Sequence, residues 1–139
     1  MSLSPKTIAI VKATAAPVAQ NSEKITARMY EILFSDFPEL ESLFEGADSE
    51  QHKKLASAVS AYAANIDNLS ALSKAVMKMA STHASKNVKA EHYPMVGLSM
   101  LKAIKDVLGD AATDEVLEAW KEAYFYLADI LIAREKLFS

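Results

Sequence analysis

The chain has 139 residues, a length typical of one domain, and 51% of them are hydrophobic, so it can bury a core and is unlike disordered proteins. Its 15 basic and 18 acidic residues give a net charge of −3 and form no basic patch, which argues against nucleic acid and anionic membranes as partners. With no cysteine, the chain can form no disulfide, iron–sulfur cluster or thiolate metal site, and its three glycines make no phosphate-binding loop.

The hydrophobic pattern is helical along the whole sequence. No stretch alternates as a half-buried strand does, no segment repeats, and no apolar run approaches the length of a membrane span. Residues 1–17 lack the basic start and the uninterrupted apolar run of a secretory signal. We therefore expect one all-α domain over residues 1–139, with about six to seven helices and a location in the cytoplasm.

Two helices are predicted in the N-terminal part of the chain. Ser4 and Pro5 fit a capping residue and a first helical position, and this helix should run to about residue 20 with a kink or a stop at Pro17. The second helix should run from about residue 21 to 37, and its apolar face contains Tyr30. A tyrosine on such a face usually packs in the core while its hydroxyl reaches a partner.

A short turn at residues 38–44 leads to a third helix, predicted from residue 48 or 49 to about 67. The turn carries Phe44, a large aromatic residue that needs an apolar cover, and the inward stripe of the helix begins with Gln51 and Leu55. Gln51 is either a solvated amide in a frayed first turn or a polar group that points inward. His52 lies about 100° further round the helix axis.

A fourth helix is predicted from about residue 72 to 86, and its apolar stripe ends in an imidazole. His83 follows, at helical spacing, the residues Leu72, Ala75, Val76, Met79 and Ala80. A histidine in this position is either a core residue satisfied by a polar neighbour or a metal ligand, since neutral imidazole is the commonest metal ligand among side chains. The helix by itself leaves both interpretations open.

The last two predicted helices cover about residues 93–108 and 113–137. The stripe of the first begins with Tyr93, and the stripe of the second ends in Glu135. A carboxylate in apolar surroundings must be paired or hydrogen-bonded. The alternative is that this end of the chain is frayed and that Glu135 is solvated.

Several segments together resemble one protein family. They are ITARMYEILF (25–34), the region of Phe44, EQHKKLA (50–56), NIDNL (65–69), HASKNVKAEHYPMVG (83–97), AIKDVLGDAATDEVLEAW (103–120) and the end around Glu135. Over nearly its whole length the chain resembles the bacterial single-domain globins and the globin domain of flavohaemoglobins. The resemblance implies a globin fold around a pocket for non-covalently bound haem b.

The resemblance also implies a role for each candidate site residue. His83 corresponds to the proximal histidine that binds the haem iron, and Tyr93 and Glu135 correspond to the residues that orient this histidine and raise its electron donation. The other implied pocket residues are the gas-facing Tyr30 and Gln51, the apolar Leu55 beside the gas and the porphyrin-stacking Phe44.

A few positions depart from the family pattern. Thr82 stands where relatives often carry lysine, so a contact to a haem propionate is missing, and Phe125 stands where glycine is common. Asn87 replaces a frequent glycine at a helix end, where asparagine is tolerated. Because the link before the third helix is short, His52 competes with Gln51 for the gas-facing side, and it would there bind the iron as a sixth ligand.

Three classes of function follow from these residues: a reversible oxygen carrier, an enzyme that converts nitric oxide and O2 to nitrate, and a haemless helical interaction protein. Electron donation through His83, Tyr93 and Glu135 favours the enzyme. Turnover would need a separate NAD(P)H-dependent reductase, since the 139 residues contain no flavin or nicotinamide domain. We expect O2 and NO as ligands and a monomer or homodimer.

Overall fold

Six α-helices and three short 3-10 helices make up the described part of this computed structural model, in which no residue lies in a strand. The structure describes residues 3–44, 49–85 and 89–137, without the side chains of residues 42–44, 49–52 and 85. The α-helices are α1 (Pro5–Gln20), α2 (Ser22–Asp36), α3 (Ser49–Ala64), α4 (Ser73–Ser85), α5 (His92–Leu108) and α6 (Asp114–Glu135). The 3-10 helices are Pro38–Phe44, Leu69–Leu72 and Gly109–Ala111. The predicted all-α class is confirmed.

The helix ends follow ordinary capping chemistry. The hydroxyl of Ser4 accepts a hydrogen bond from the Thr7 amide at 3.1 Å, and the hydroxyl of Thr113 accepts one from the Val116 amide at 3.2 Å. Gly109 ends α5 with a φ of +58°, which glycine adopts at little steric cost.

The predicted end of the first helix near residue 20 agrees with the structure, while one predicted boundary, that of the third helix, differs. Of the two alternatives for Pro17, the stop does not occur, because Pro17 lies inside α1, where a proline in the last turn removes only one helical hydrogen bond. The third helix ends at Ala64 rather than near residue 67, because the Ile66 amide turns back to bond with the Ala63 carbonyl.

The main core lies among α1, α2, α3, α5 and α6. α2 packs on α5 and on α3, and α1 packs on α6 and on α3. The largest fully buried apolar side chains are Ile25, Met29, Leu33, Ile104, Val11 and Val18. Full burial of one such side chain stabilises the fold by about 1.5–3 kcal/mol relative to leaving it exposed. None of the helices in the described residues has both the length and the apolar character needed to cross a membrane.

A second, smaller core joins α4 and α5 to the C-terminal half of α6; we call it the minor core, and its buried members are Ala80, Tyr93, Ala128 and Leu131. The predicted stripe of α4 faces it only in part. Ala80 is buried, Val76 and Met79 are half-buried, and Ala75 is exposed. The stripe of α4 therefore keeps an apolar surface that the protein's own side chains do not fully cover.

Candidate functional site

Three ionisable side chains meet at the edge of the minor core, and we call them the imidazole cluster: His83, Tyr93 and Glu135. The Nδ1 atom of His83 lies 2.9 Å from the Tyr93 hydroxyl and 3.3 Å from Oε1 of Glu135. The Tyr93 hydroxyl donates a hydrogen bond to the same Oε1 atom. The three groups thus share one connected set of polar contacts.

The cluster forms because three helices end or begin at the same place. His83 lies in the last turn of α4, Tyr93 is the second residue of α5, and Glu135 is the last residue of α6. α6 packs on both α4 and α5 and so joins them. The apolar residues of each helix determine which face points inward. The three cluster residues lie on these inward faces, at the point where the helices converge.

The hydrogen bonds fix the tautomer of the imidazole. The Tyr93 hydroxyl has one proton and gives it to Glu135, so its oxygen accepts from His83, whose proton must then be on Nδ1. In the neutral imidazole the lone pair is then on Nε2, on the other side of the ring. An imidazole held in this way can offer Nε2 as a ligand to a metal ion.

Burial keeps the tyrosines of this region protonated. Removal from water is the main cause that raises the pKa of Tyr93 far above its ordinary value of 10, and the hydrogen bond to Glu135 and its charge raise it further. Desolvation likewise raises the pKa values of Tyr62 and Tyr124. At neutral pH the Tyr93 hydroxyl is therefore a donor.

These raised pKa values predict a loss of stability in alkali. The folded state holds each phenol proton more tightly than the unfolded state, so this contribution is complete below pH 10 and falls as the pH rises above it. Each of the three tyrosines should lower the free energy of unfolding by about 1.4 kcal/mol per pH unit. Denaturant titrations between about pH 9 and 11.5, with tyrosinate absorbance, measure the slope.

A Tyr62→Phe variant is the control for this slope. It should remove about one third of the pH dependence, since it deletes one of three equivalent contributions. Tyrosinate absorbance of these three residues near pH 10 in the folded protein would contradict the prediction, because it would mean that folding does not raise their pKa values.

The other predicted site residues are less completely described. Tyr30, on α2, is 5% exposed, and its ring centroid lies 5.8 Å from that of Phe34 in the main core. Leu55, on α3, is half-buried against the same core. The side chains of the other three candidates lie outside the described residues: Phe44, Gln51 and His52.

The structure also locates two of the departures from the family pattern. Thr82 is exposed, and its hydroxyl donates to the Lys78 carbonyl at 3.0 Å. Phe125 packs edge-on against Tyr124, with ring centroids 5.4 Å apart. Asn87 lies outside the described residues.

One contact was not predicted from the sequence. The hydroxyl of Tyr124 donates a hydrogen bond to the backbone carbonyl of Tyr93 at 2.7 Å. The available signal was the position of Tyr124 on the same stripe of α6 as Glu135. That signal places the side chain on the inward face but does not identify a backbone acceptor on another helix.

Comparison with known proteins identifies relatives along the whole chain. The chain is 48% identical over 134 residues to an uncharacterized globin-like protein of Aquifex aeolicus, covering 96% of this chain and 95% of that protein. It is 50% identical over 136 residues to a flavohemoprotein of Rhodopirellula baltica, covering 96% of this chain but 33% of that protein. The chain therefore spans about a third of the length of the flavohemoproteins it matches.

Two solved structures are also similar to this chain. An engineered carbene transferase, whose parent is a proposed nitric oxide dioxygenase of Rhodothermus marinus, has a TM-score of 0.92 and 44% identity over 98% of this chain and 95% of that one. A bacterial globin of Campylobacter jejuni has a TM-score of 0.87 and 38% identity over 96% of this chain and 97% of that one. The Globin family model matches residues 27–131. With its six helices and no strand among the described residues, the chain belongs to the globin family.

Proposed function

We propose that the chain binds haem b non-covalently and that Nε2 of His83 would hold the iron. The observation that carries this proposal is the imidazole cluster, in which Tyr93 and Glu135 both contact Nδ1 of His83, as expected for an imidazole whose other nitrogen is a metal ligand. Because the chain has no cysteine, neither a thioether attachment nor a thiolate ligand is available to it.

Half-buried apolar side chains beside the minor core could line a large apolar ring. Val76 and Met79 on α4, and Leu127 and Ile132 on α6, are half-buried against the minor core. Pockets for organic cofactors are lined mainly by apolar side chains with a few placed polar groups. The His83 side chain is 31% exposed, so part of the ring is accessible to a bound group.

Haem, when bound, would supply an iron that can take a gas ligand. The residues of this chain tune that iron from the His83 side. The Glu135 carboxylate attracts the Nδ1 proton, directly and through the Tyr93 hydroxyl, which makes the imidazole more basic and a stronger electron donor. Glu135 and Tyr93 also prevent the ring from rotating.

We propose that Tyr30 would donate its hydroxyl to O2 or NO and that Gln51 would supply an amide N–H. Hydrogen-bond donors directed at developing negative charge in a site that excludes water are far stronger than in bulk water. Leu55 would help to exclude water beside the gas, and Phe44 would stack on the porphyrin.

We propose that the protein binds O2 and uses it to convert nitric oxide to nitrate in the cytoplasm, as a monomer or homodimer. The reaction, NO + O2 + one electron → nitrate, needs a reductant. Strong electron donation by His83 supports O2 activation over storage, and the relatives named flavohemoprotein and nitric oxide dioxygenase support the same chemistry. We propose a separate NAD(P)H-dependent reductase as the source of the electron.

Stopped-flow mixing of the O2-saturated ferrous protein with NO tests this function. We expect one nitrate per haem without a reductase, and continuous NO consumption once NADH and a purified flavin reductase are added. A Tyr30→Phe variant should release O2 about 10- to 100-fold faster, because it lacks one donor to a charged acceptor. A single burst of nitrate that is not followed by turnover when NADH and the reductase are present would instead favour a reversible oxygen carrier. A sample that takes up no hemin would exclude both functions.

A further inference from the structure

We infer that Tyr124 is a positioning residue that fixes the backbone of Tyr93 and thereby sets the hydrogen bond that polarises His83. The inference rests on the proposed function, because it assigns a further residue to the tuning of the iron ligand. Tyr124 touches neither the imidazole nor any proposed substrate, so it would act only through Tyr93.

The first observation is the extra hydrogen bond on the Tyr93 carbonyl. Tyr93 is the second residue of α5, so in a regular α-helix its carbonyl accepts from the amide of Gly97. A carbonyl oxygen has two lone pairs, and the second one accepts from the Tyr124 hydroxyl at 2.7 Å. The first turn of α5 is thereby bonded to α6 as well as to its own helix.

The second observation is the close approach of the Tyr124 ring to Gly97. A Cβ atom at Gly97 would lie 2.6 Å from Cε2 and 2.8 Å from Cδ2 of Tyr124, closer than real Cβ atoms approach other atoms. Only glycine therefore lets the ring lie against the backbone of α5 in this position. Phe125 packs on the Tyr124 ring edge-on, with an interplanar angle of 87°.

The third observation is that α6 holds Tyr93 at both ends. Tyr124 and Glu135 lie 11 residues apart on α6. Eleven residues are close to three helical turns, which places both on the same face. Tyr124 binds the backbone carbonyl of Tyr93, and Glu135 binds its hydroxyl.

The two bonds from α6 to Tyr93 restrain the 2.9 Å contact between the Tyr93 hydroxyl and Nδ1 of His83. A phenol bonded only at its tip can move with the start of α5, because first turns of helices are the least restrained. A phenol whose backbone is also bonded to α6 keeps a fixed position between the carboxylate and the imidazole. The Tyr124 hydroxyl therefore preserves the geometry of the imidazole cluster.

A Tyr124→Phe variant tests this role, since it keeps the ring against Gly97 and removes the hydroxyl alone. The measurement is the iron–imidazole stretching frequency of the ferrous haem-loaded protein by resonance Raman spectroscopy, which reports electron donation by His83. We expect Tyr124→Phe to shift this frequency in the same direction as Tyr93→Phe, by a smaller amount. The double variant should give the frequency of Tyr93→Phe alone, because Tyr124 acts through the phenol.

Tyr62→Phe is the matched control. The Tyr62 hydroxyl also donates to a backbone carbonyl on α6, that of Ala123, at the same 2.7 Å, but it makes no contact with the imidazole cluster in the described residues. Both variants should lower the melting temperature by about 2–6 °C. Only Tyr124→Phe should shift the stretching frequency.

Two outcomes would overturn the inference: an unchanged frequency in Tyr124→Phe, or equal shifts in Tyr124→Phe and Tyr62→Phe. A second readout needs no haem. Amide hydrogen exchange at Gly97 should be faster in Tyr124→Phe than in Tyr62→Phe and wild type, and equal rates in all three would also overturn it. Failure of the proposed function can be distinguished from failure of this inference. If His83 were not the iron ligand, the iron–imidazole band would survive in His83→Ala.

Discussion

Replacing His83 with alanine should lower the affinity for haem by more than about 100-fold, because loss of an outer partner of a metal ligand already costs about 10- to 100-fold. The helix itself should persist, since alanine is the best helix former and the His83 side chain is partly exposed. Titration of the haem-free protein with hemin, followed by ferrous absorption spectra, measures the effect. We expect no five-coordinate histidine spectrum from His83→Ala.

His92→Ala is the control for this experiment. His92 begins α5, next to Tyr93, and its Nδ1 accepts from the Lys89 amide at 3.0 Å, so it has a structural role outside the imidazole cluster. It should keep the wild-type spectrum, and added imidazole should restore a histidine-like spectrum to His83→Ala. A five-coordinate histidine spectrum in His83→Ala without imidazole would contradict the assignment of the ligand. A wild-type ferrous spectrum that is six-coordinate without gas would indicate His52 on the opposite side.

Glu135→Gln should weaken electron donation while it preserves the shape of the side chain. The amide oxygen can still accept from Tyr93, but the charge that strengthens the hydrogen bonds to Tyr93 and His83 is lost. We expect about a 10- to 100-fold loss in haem affinity or NO turnover, as for other outer partners of metal ligands. Transfer of haem to an apoprotein acceptor and steady-state NO consumption measure the two effects.

Glu118→Gln is the matched variant, since Glu118 lies on the same helix, is exposed and makes no contact with the imidazole cluster in the described residues. It changes the net charge by the same amount, so any general electrostatic effect will appear in both proteins. We expect wild-type haem retention and turnover from it. Equal losses in the two variants would show that the specific contact at Glu135 is not responsible.

The sequence predicted the helices, and it predicted their inward faces in part, since Ala75 on the predicted stripe of α4 is exposed. The stripe that ends in His83 and the stripe that ends in Glu135 both exist, and Glu135 is buried rather than solvated. Periodicity assigns a residue to one face of one helix, but it contains no information about which helices meet. His83 and Tyr93 are 10 positions apart and Tyr93 and Glu135 are 42 apart, so their meeting came from the family resemblance and from the structure.

Other features could not be predicted for physical reasons. The Tyr124 contact ends on a backbone carbonyl, and every residue has one, so no side-chain pattern marks this acceptor. The early end of α3 results from a local turn at Ile66 that leaves the apolar spacing unchanged. The roles of Phe44 and Gln51 remain predictions, because their side chains lie outside the described residues.

The carboxylate of the imidazole cluster belongs to the final residue of α6, and the last turns of helices fray at a small fraction of the global unfolding free energy. Unwinding of that one turn would release Glu135 from Tyr93 and His83 while the main core stays intact. The basicity of the His83 imidazole should therefore depend on a local equilibrium that warming shifts before the protein melts. Under the proposed function, gas affinity should accordingly change with temperature more steeply than the bond between iron and gas alone dictates.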